Sequence, residues 1–395
     1  MANSFTTNLN LTKPEVGADT DAWGGHLNTD LDTLDAIFAN GTGTAVGLNT
    51  VGKNLNVTAG NMSIKDGTDA TKIAKFSAAS ITTATTRTLT VPDASGTIAL
   101  TSNIMGRNRI INGNMYTAQR ATSATVTAGT TVPTASTGYP CVDRFFVYST
   151  GANVTAAQVA GATSNKNLLQ VTGAASVTAV GIGQRIEQVN SIDMAGQTCT
   201  LSVNIANSLL TTVTWTASYA TTTANTFGTI GTATKTQIST GTFTVTSTLT
   251  NYTASFSVPS AATTGIEILF TVGAQTSGTW QIGNVQFETG AVATPFERVY
   301  AGTQVAECQK HYQSYSTLII SAPNGSLVGD IFFNLVYPVK FFAAPTSAFS
   351  NFSNNNCGNA SANSTNTGHM LVQATTTGTG TPYSIFTVTL SAEVP

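Results

Sequence analysis

Between residues 168 and 272 the chain places apolar side chains at every second position in one run after another. Cys199, Leu201, Val203 and Ile205 share a face, Val213, Trp215, Ala217 and Tyr219 a second, and Ile266, Ile268, Phe270 and Val272 a third. A period of two is that of a half-buried strand. Leu168–Val171, Phe243–Val245 and Tyr252–Val258 follow the same rule, with Thr, Ser and Gly between the runs as turn residues. So many short strands with no helical period between them predict an antiparallel, jelly-roll-like sandwich over residues 106–300.

Composition narrows the function. Only 9% of the side chains are charged, well under half of the ~25% of an ordinary soluble domain. Threonine supplies much of the missing polarity at roughly 18% of the chain, and it favours strands. Sixteen basic against 18 acidic residues build no broad phosphate-contacting stripe, so a nucleic-acid partner is not expected. No apolar run is long enough to span a bilayer, so no membrane insertion is expected. Met1–Pro14 carries neither a basic start nor an apolar core, so a chain made in the cytoplasm without a leader is expected. Cys141, Cys199, Cys308 and Cys357 lack metal-ligand spacing, and Cys199 reads as a small core residue. No cofactor is called for.

The ends differ from the middle. Residues 1–40 carry Trp23, Leu27, Leu31, Leu34 and Phe38 at spacings of four, four, three and four, one apolar helical stripe that Asn40-Gly41 terminates. A lone helix of this length is marginal in water, so the stripe must bury against sister chains, a larger particle or its own β domain. Residues 41–105 read as very short strands: Asn54–Thr58, Asn61–Ile64, Thr86–Val91 and Thr97–Leu100. Each holds too few apolar side chains to enclose a core, and a homotrimer winding them into a fibrous shaft would solve that problem. Thr303–Tyr312 predicts a short connecting helix within 301–314. Residues 315–395 predict a small C-terminal β domain with strands Leu318–Ser321, Gly329–Val336, Val339–Phe342, Met370–Ala374 and Ser384–Leu390. Asn351–Gly368 predicts a polar loop between them, either solvated or a binding element.

Several of these segments resemble bacteriophage tail fibres. Lys13-Pro14-Glu15-Val16-Gly17-Ala18-Asp19-Thr20-Asp21-Ala22-Trp23-Gly24 is similar to their virion-proximal segment, and Thr86–Leu100 to a shaft motif. Asn108-Arg109-Ile110-Ile111-Asn112-Gly113-Asn114-Met115, Gln119-Arg120 and Asp143-Arg144-Phe145 resemble the opening of a carbohydrate-binding-type sandwich. Ile282–Gly290 and Ala293–Arg298 resemble its closing strand and exit, Cys308–Tyr312 the helix after it, and Pro338–Pro345 a strand of the terminal domain. The chain departs from the pattern at Ala118, where a tryptophan is expected. The resemblance implies a virion protein of the tail, assembled in the host cytoplasm. Its Trp23/Leu27/Leu31/Leu34/Phe38 stripe would dock on a tail or baseplate protein, and its distal β domains would meet a host-surface polysaccharide or lipopolysaccharide.

Catalytic chemistry is sparse. A polysaccharide-cleaving enzyme needs two carboxylates facing one groove. Glu187, Asp193, Glu267 and Glu288 are the candidates, and no two share a strand face at short spacing. Glu267 alternates out of the apolar face, which predicts a solvent-facing side chain or one at a sheet edge. His26, His311 and His369 lie in different regions. The expectation is a recognition protein and not an enzyme; a tailspike-like depolymerase and a virion decoration protein are the alternatives. For glycan stacking the sandwich offers Trp215, Tyr219 and Trp280. Trp215 and Tyr219 share a face with Val213 and Ala217, so core and platform are both open. Trp280 follows Ser277-Gly278, where exposure is easy.

Overall fold

The computed structural model describes residues 4–5, 12–13, 21–38, 63–69, 71–75, 81–86, 106–161, 166–323, 329–378 and 380–395. The chain is mostly β and divides into two compact units, Met1–Gly96 and Thr97–Pro395. In the first, β1 (Ser4–Phe5) pairs antiparallel with β2 (Thr12–Lys13), and α1 (Trp23–Phe38) spans the stripe that the sequence predicts. Leu27 and Leu31 are 44% and 52% exposed, so their part of the stripe has little cover among the described residues. The side chains of Trp23, Leu34 and Phe38 lie outside the described residues. β3 (Ser63–Lys65) pairs with β4 (Ile73–Lys75). Asp66 ties the turn between them, its Oδ1 accepting from the N–H groups of Thr68 and Asp69 at 2.9 Å. The expected shaft strands Asn54–Thr58 and Thr97–Leu100, and all of Thr86–Val91 beyond its first residue, lie outside the described residues.

The second unit opens with the sandwich. Its strands are β5 (Ser123–Val126), β6 (Phe146–Thr150), β7 (Val154–Ala160), β8 (Asn167–Thr172), β9 (Ala179–Ile186), β10 (Thr198–Asn207), β11 (Thr212–Ala220), β12 (Lys235–Thr244), β13 (Thr250–Ser257), β14 (Ile266–Val272) and β15 (Thr279–Thr289), with a one-turn helix α2 (Gln188–Ser191) after β9. They form a six-stranded sheet in the order β13-β10-β15-β8-β7-β5 and a five-stranded sheet in the order β12-β11-β14-β9-β6, antiparallel throughout. The predicted alternation is what fills the space between them. Cys199, Leu201, Val203 and Ile205 of one sheet are buried, as are Val213, Trp215, Ala217, Ile266, Ile268, Phe270 and Val272 of the other. Each large apolar side chain so buried contributes about 1.5–3 kcal/mol. Trp215 stacks on Phe256 at 5.2 Å, and Phe256 on Phe287 at 5.7 Å, an aromatic stack that bridges the sheets.

A helix α3 (Ala301–Gln309) leads to the C-terminal domain. Its strands β16 (Tyr312–Ser321), β17 (Asp330–Val336), β18 (Thr346–Asn355), β19 (Ser361–Thr365), β20 (His369–Thr375) and β21 (Tyr383–Ser391) form two three-stranded sheets, β16-β21-β18 and β17-β20-β19. Leu335, Met370, Val372, Phe386, Val388 and Leu390 are buried in this domain's core. Two expectations fail here. Val339–Phe342 is no strand: Phe341 N–H bonds Thr367 O and Phe342 N–H bonds Lys310 O, two unrelated partners between Pro338 and Pro345. Nor is Asn351–Gly368 one loop, since it holds the end of β18 and all of β19. A bulge at Ser350–Ser353, with Asn351 at φ 54°, lets Phe349 and Phe352 both pack inward at a spacing of three, which disguises the strand.

After β21 the chain returns to the sandwich. Glu393 N–H bonds Ala135 O at 2.9 Å, and Pro395 O accepts from Phe227 N–H at 2.7 Å. The outer side of the five-stranded sheet is thereby partly roofed by residues 392–395 and by the sandwich's own loops.

Candidate functional site

The segment Asn108–Gly113 shapes the floor of a cleft of about 410 Å³ in the second unit, whose walls include Phe296, Val299, Gln304 and Glu307. Asn108 works as a double clamp. Its Oδ1 accepts from the N–H groups of Ile110 and Phe287 at 3.0 Å each, and its Nδ2 donates to Val285 O at 3.0 Å. Asn112 Nδ2 donates to Thr117 O and Asp143 O, while its Oδ1 accepts from Gln304 Nε2 of α3 at 2.6 Å. Gly113 is obligatory, because a Cβ there would lie 2.1 Å from Val285 O. Asn112, Met115 and Arg144 all hold positive φ, at 61°, 58° and 71°. These residues therefore bind one another and α3 tightly; they are joinery around the cleft.

Beside this corner lies a buried ionic network joining the sandwich to the C-terminal domain. Arg144 donates to Glu187 Oε1 at 2.7 Å, to Arg185 O at 2.7 Å and to Glu393 Oε2 at 2.5 Å. His311 Nε2 lies 2.6 Å from Glu187 Oε1, and its Nδ1 3.0 Å from Ala392 O. Arg120 pairs with Glu393 at 3.0 Å and Asp143 at 3.7 Å, its guanidinium 4.0 Å over the Tyr312 ring. Gln119 Nε2 donates to Asp143 Oδ2 at 2.6 Å and Tyr312 O at 3.2 Å. Gln119, Arg120, Asp143 and Arg144, from the segments that resemble a sandwich opening, thus act as the seam between two domains, while Phe145 lies in the sandwich core. Of the seam's other half, sequence reasoning named Glu187 and His311 without bringing them together, and it missed Glu393. A lone Glu393, two residues before Pro395, carries no pattern that would have found it.

Burial by itself would raise Glu187 and Glu393. Arg144 beside both outweighs it, with His311 and Asn190 helping at Glu187, and Arg120 and His311 at Glu393, so both lie below the usual carboxylate range. Asp143 goes the other way, pushed up by burial despite Gln119 and Arg120. Lowered carboxylates contribute stability that is present above their ordinary value near 4.5 and lost as pH falls toward their folded values, while Asp143 offsets part of that loss. The expected result is an unfolding free energy that falls as pH drops below about 4.5, with a slope approaching about 1.4 kcal/mol per pH unit for each extra proton bound on unfolding, and a melting temperature that falls with it. Glu187→Gln should flatten that slope in thermal melts followed by circular dichroism. An equal slope in this variant would place the titration elsewhere.

The candidate carboxylates are all engaged. Glu187 faces Arg144 and His311, Asp193 pairs with Arg109 at 2.5 Å, and Glu288 accepts from Thr294 and Gln286 beside Arg107 at 3.4 Å. Glu267, expected at solvent or a sheet edge, is 1% exposed and bonded to Arg185 and Lys235. It does leave the apolar face, as the alternation says. That side, however, is roofed near it: Arg185 also donates to Gly228 O and to Val394 O, and lies over the Phe227 ring at 5.2 Å. All four cysteines are buried, Cys199 among them in the core.

The aromatic candidates need correction. Trp280 is fully buried although a Ser-Gly turn precedes it. It is the second residue of β15, inside the six-stranded sheet, in register with Asn207 and Val171, both themselves buried, and its side chain lies in the core. Trp215 is 6% exposed and stacked in the core. Tyr219 is half-buried at the core's margin, beyond the bulge between Ala217 and Ser218. None of the three is a free platform.

What the five-stranded sheet presents instead is hydroxyl. Thr242, Thr214 and Thr271 lie in one cross-strand row and Thr240 and Thr216 in the next, with Thr216 and Thr240 Oγ1 atoms 3.1 Å apart. At the sheet's other edge the Tyr148 and Phe146 rings lie flat over Gly181 and Gly183, where a Cβ would come within 2.0 and 2.4 Å of them.

No family model and no curated protein matches the sequence. Solved structures similar to part of it include a CBM4 carbohydrate-binding module, with a TM-score of 0.30 at 13% identity, covering 45% of this chain and 98% of that one. The xylan-binding CBM22-1 domain from Paenibacillus barcinonensis has a TM-score of 0.25 at 14% identity, covering 37% and 87%. The enzymatically active domain of tailspike protein 4 from bacteriophage CBA120 has a TM-score of 0.28 at 20% identity, covering 41% of this chain but 21% of that one. The similarity is low in every case.

Proposed function

We propose that this protein is the recognition component of a tail fibre: a homotrimer held on the phage tail by its N-terminal helix, whose distal β domains bind a host-surface glycan without cleaving it. The observation that carries glycan recognition is where polarity sits. Asp143, Arg144, Arg185, Glu187, Glu267 and Glu393 are buried in ion pairs, while the exposed strand positions of the sandwich carry mainly Thr, Ser and Asn. A surface rich in hydroxyl and amide groups and poor in field suits a neutral polyhydroxylated ligand better than an anionic polymer. The engaged carboxylates support a binding role over a depolymerase. Exposed Leu27 and Leu31 on α1 support attachment, since apolar side chains exposed one turn apart on so short a helix suit a partner.

A chain lacking residues 1–40 should stay folded and soluble yet fail to enter virions when it is supplied in place of the full protein. Normal incorporation would defeat the attachment half of the reading and leave the glycan half standing.

A further inference from the structure

The sheet β17-β20-β19 turns one side to the C-terminal domain's core and the other outward. On the outward side Phe332 is 54% and Val336 65% exposed, an unusual display for an edge strand. Register places Gln373 directly opposite Phe332, and Leu371 opposite Asn334. On the far edge Ser361 pairs with Gln373, and Asn363 Nδ2 donates to Gln373 Oε1 at 2.6 Å. That bond fixes the Gln373 amide and leaves its Nε2 directed away from Asn363. The Asn334 amide has no hydrogen-bond partner among the described residues.

We infer that this outward face is a binding site for a neutral hexopyranose of the glycan, with Phe332 as its stacking platform and Gln373 and Asn334 as its hydrogen-bonding rim. The inference rests on the glycan-recognition reading above and gives it a place. A pyranose has a C–H face that packs on an aromatic ring and equatorial hydroxyls that radiate from its edge. Cross-strand neighbours stand about 5 Å apart, and next-but-one residues on a strand about 7 Å. A sugar centred on Phe332 therefore has its hydroxyls within reach of both amides. Neutrality follows from the charges present. Asp330, two residues before Phe332 and on the same side, accepts from Thr375 Oγ1 at 2.6 Å and disfavours an acidic sugar. At the opposite end His369 is tied to Asn366.

The test uses the full chain, with columns of immobilised gluco-, galacto- and manno-oligosaccharides as probes and sedimentation velocity alongside. At least one neutral column should retain the protein. Phe332→Ala should weaken that retention roughly two- to tenfold per site and more where several copies engage one surface, while Phe332→Tyr preserves it. Gln373→Ala should weaken it too, and the sedimentation coefficient should not change. Phe332 is exposed, so loss of fold is not expected; an unchanged melting temperature checks this. Retention unaffected by Phe332→Ala overturns the inference while leaving glycan recognition intact elsewhere on the molecule. A changed sedimentation coefficient with unchanged retention makes the face a contact between copies of this chain. Absence of wild-type retention on every neutral column, with binding to host cells retained, overturns the sugar class proposed here; loss of both overturns the glycan reading itself.

Discussion

Replacing Arg144 by Ala should cost about 3–5 kcal/mol of stability, because it removes the guanidinium shared by two buried carboxylates at once. Glu187 and Glu393 are 1% and 2% exposed, and Arg144 donates to both, at 2.7 Å and 2.5 Å. Against a total of roughly 5–15 kcal/mol for a domain, such a loss is severe. It should also be local at first. Glu393 belongs to the returning C-terminal segment and Glu187 to the sandwich, so limited proteolysis should free the C-terminal domain before the sandwich melts. The exposed pair Lys310–Glu307, 2.7 Å apart on one helical turn, provides the contrast. Lys310→Ala should change stability by less than about 1 kcal/mol, as surface pairs generally do. Equal effects from the two substitutions in denaturant titrations would mean that the seam is not a buried electrostatic unit.

The sandwich was legible because its chemistry is periodic. Ile266–Val272 reads as a strand with one buried face, and it is one, with Ile266, Ile268, Phe270 and Val272 all inside. Helix α1 was legible for the same reason at a different period. What escaped depended on neighbours far off in sequence. Whether Trp280 points in or out is decided by β10 and β8 flanking it, and a Ser-Gly turn says nothing of that. Glu267 alternates outward correctly, but residues 392–395 and the segment around Phe227 supply the roof over it. Strands β18 and β19 hid behind Asn and Ser because they are edges whose outward positions face water and whose inward phenylalanines are shifted by a bulge. The platform proposed on β17 was invisible for a related reason: Phe332 and Phe333 are adjacent, and only the register shows which one faces out.

Valence should dominate the binding strength. Hydroxyl and amide sites bind single sugars weakly, and a trimer engaging one surface should raise apparent affinity by about 10²–10⁴ over that for a soluble single-site oligosaccharide. Light scattering should accordingly report about three times 40.7 kDa. Comparable affinity for the soluble oligosaccharide and for the surface-bound polymer, or a monomeric mass with intact β structure, would count against trimeric recognition.

The most direct measurement is incubation of the full chain with purified surface polysaccharide from a susceptible host, read both for bound protein and for polymer length. With 16 basic against 18 acidic residues in the sequence, raising salt well above the physiological ~0.15 M should change binding little, and polymer length should stay constant throughout. Binding abolished by modest salt would show that charge carries recognition, and a shortened polymer would show that the protein is a depolymerase.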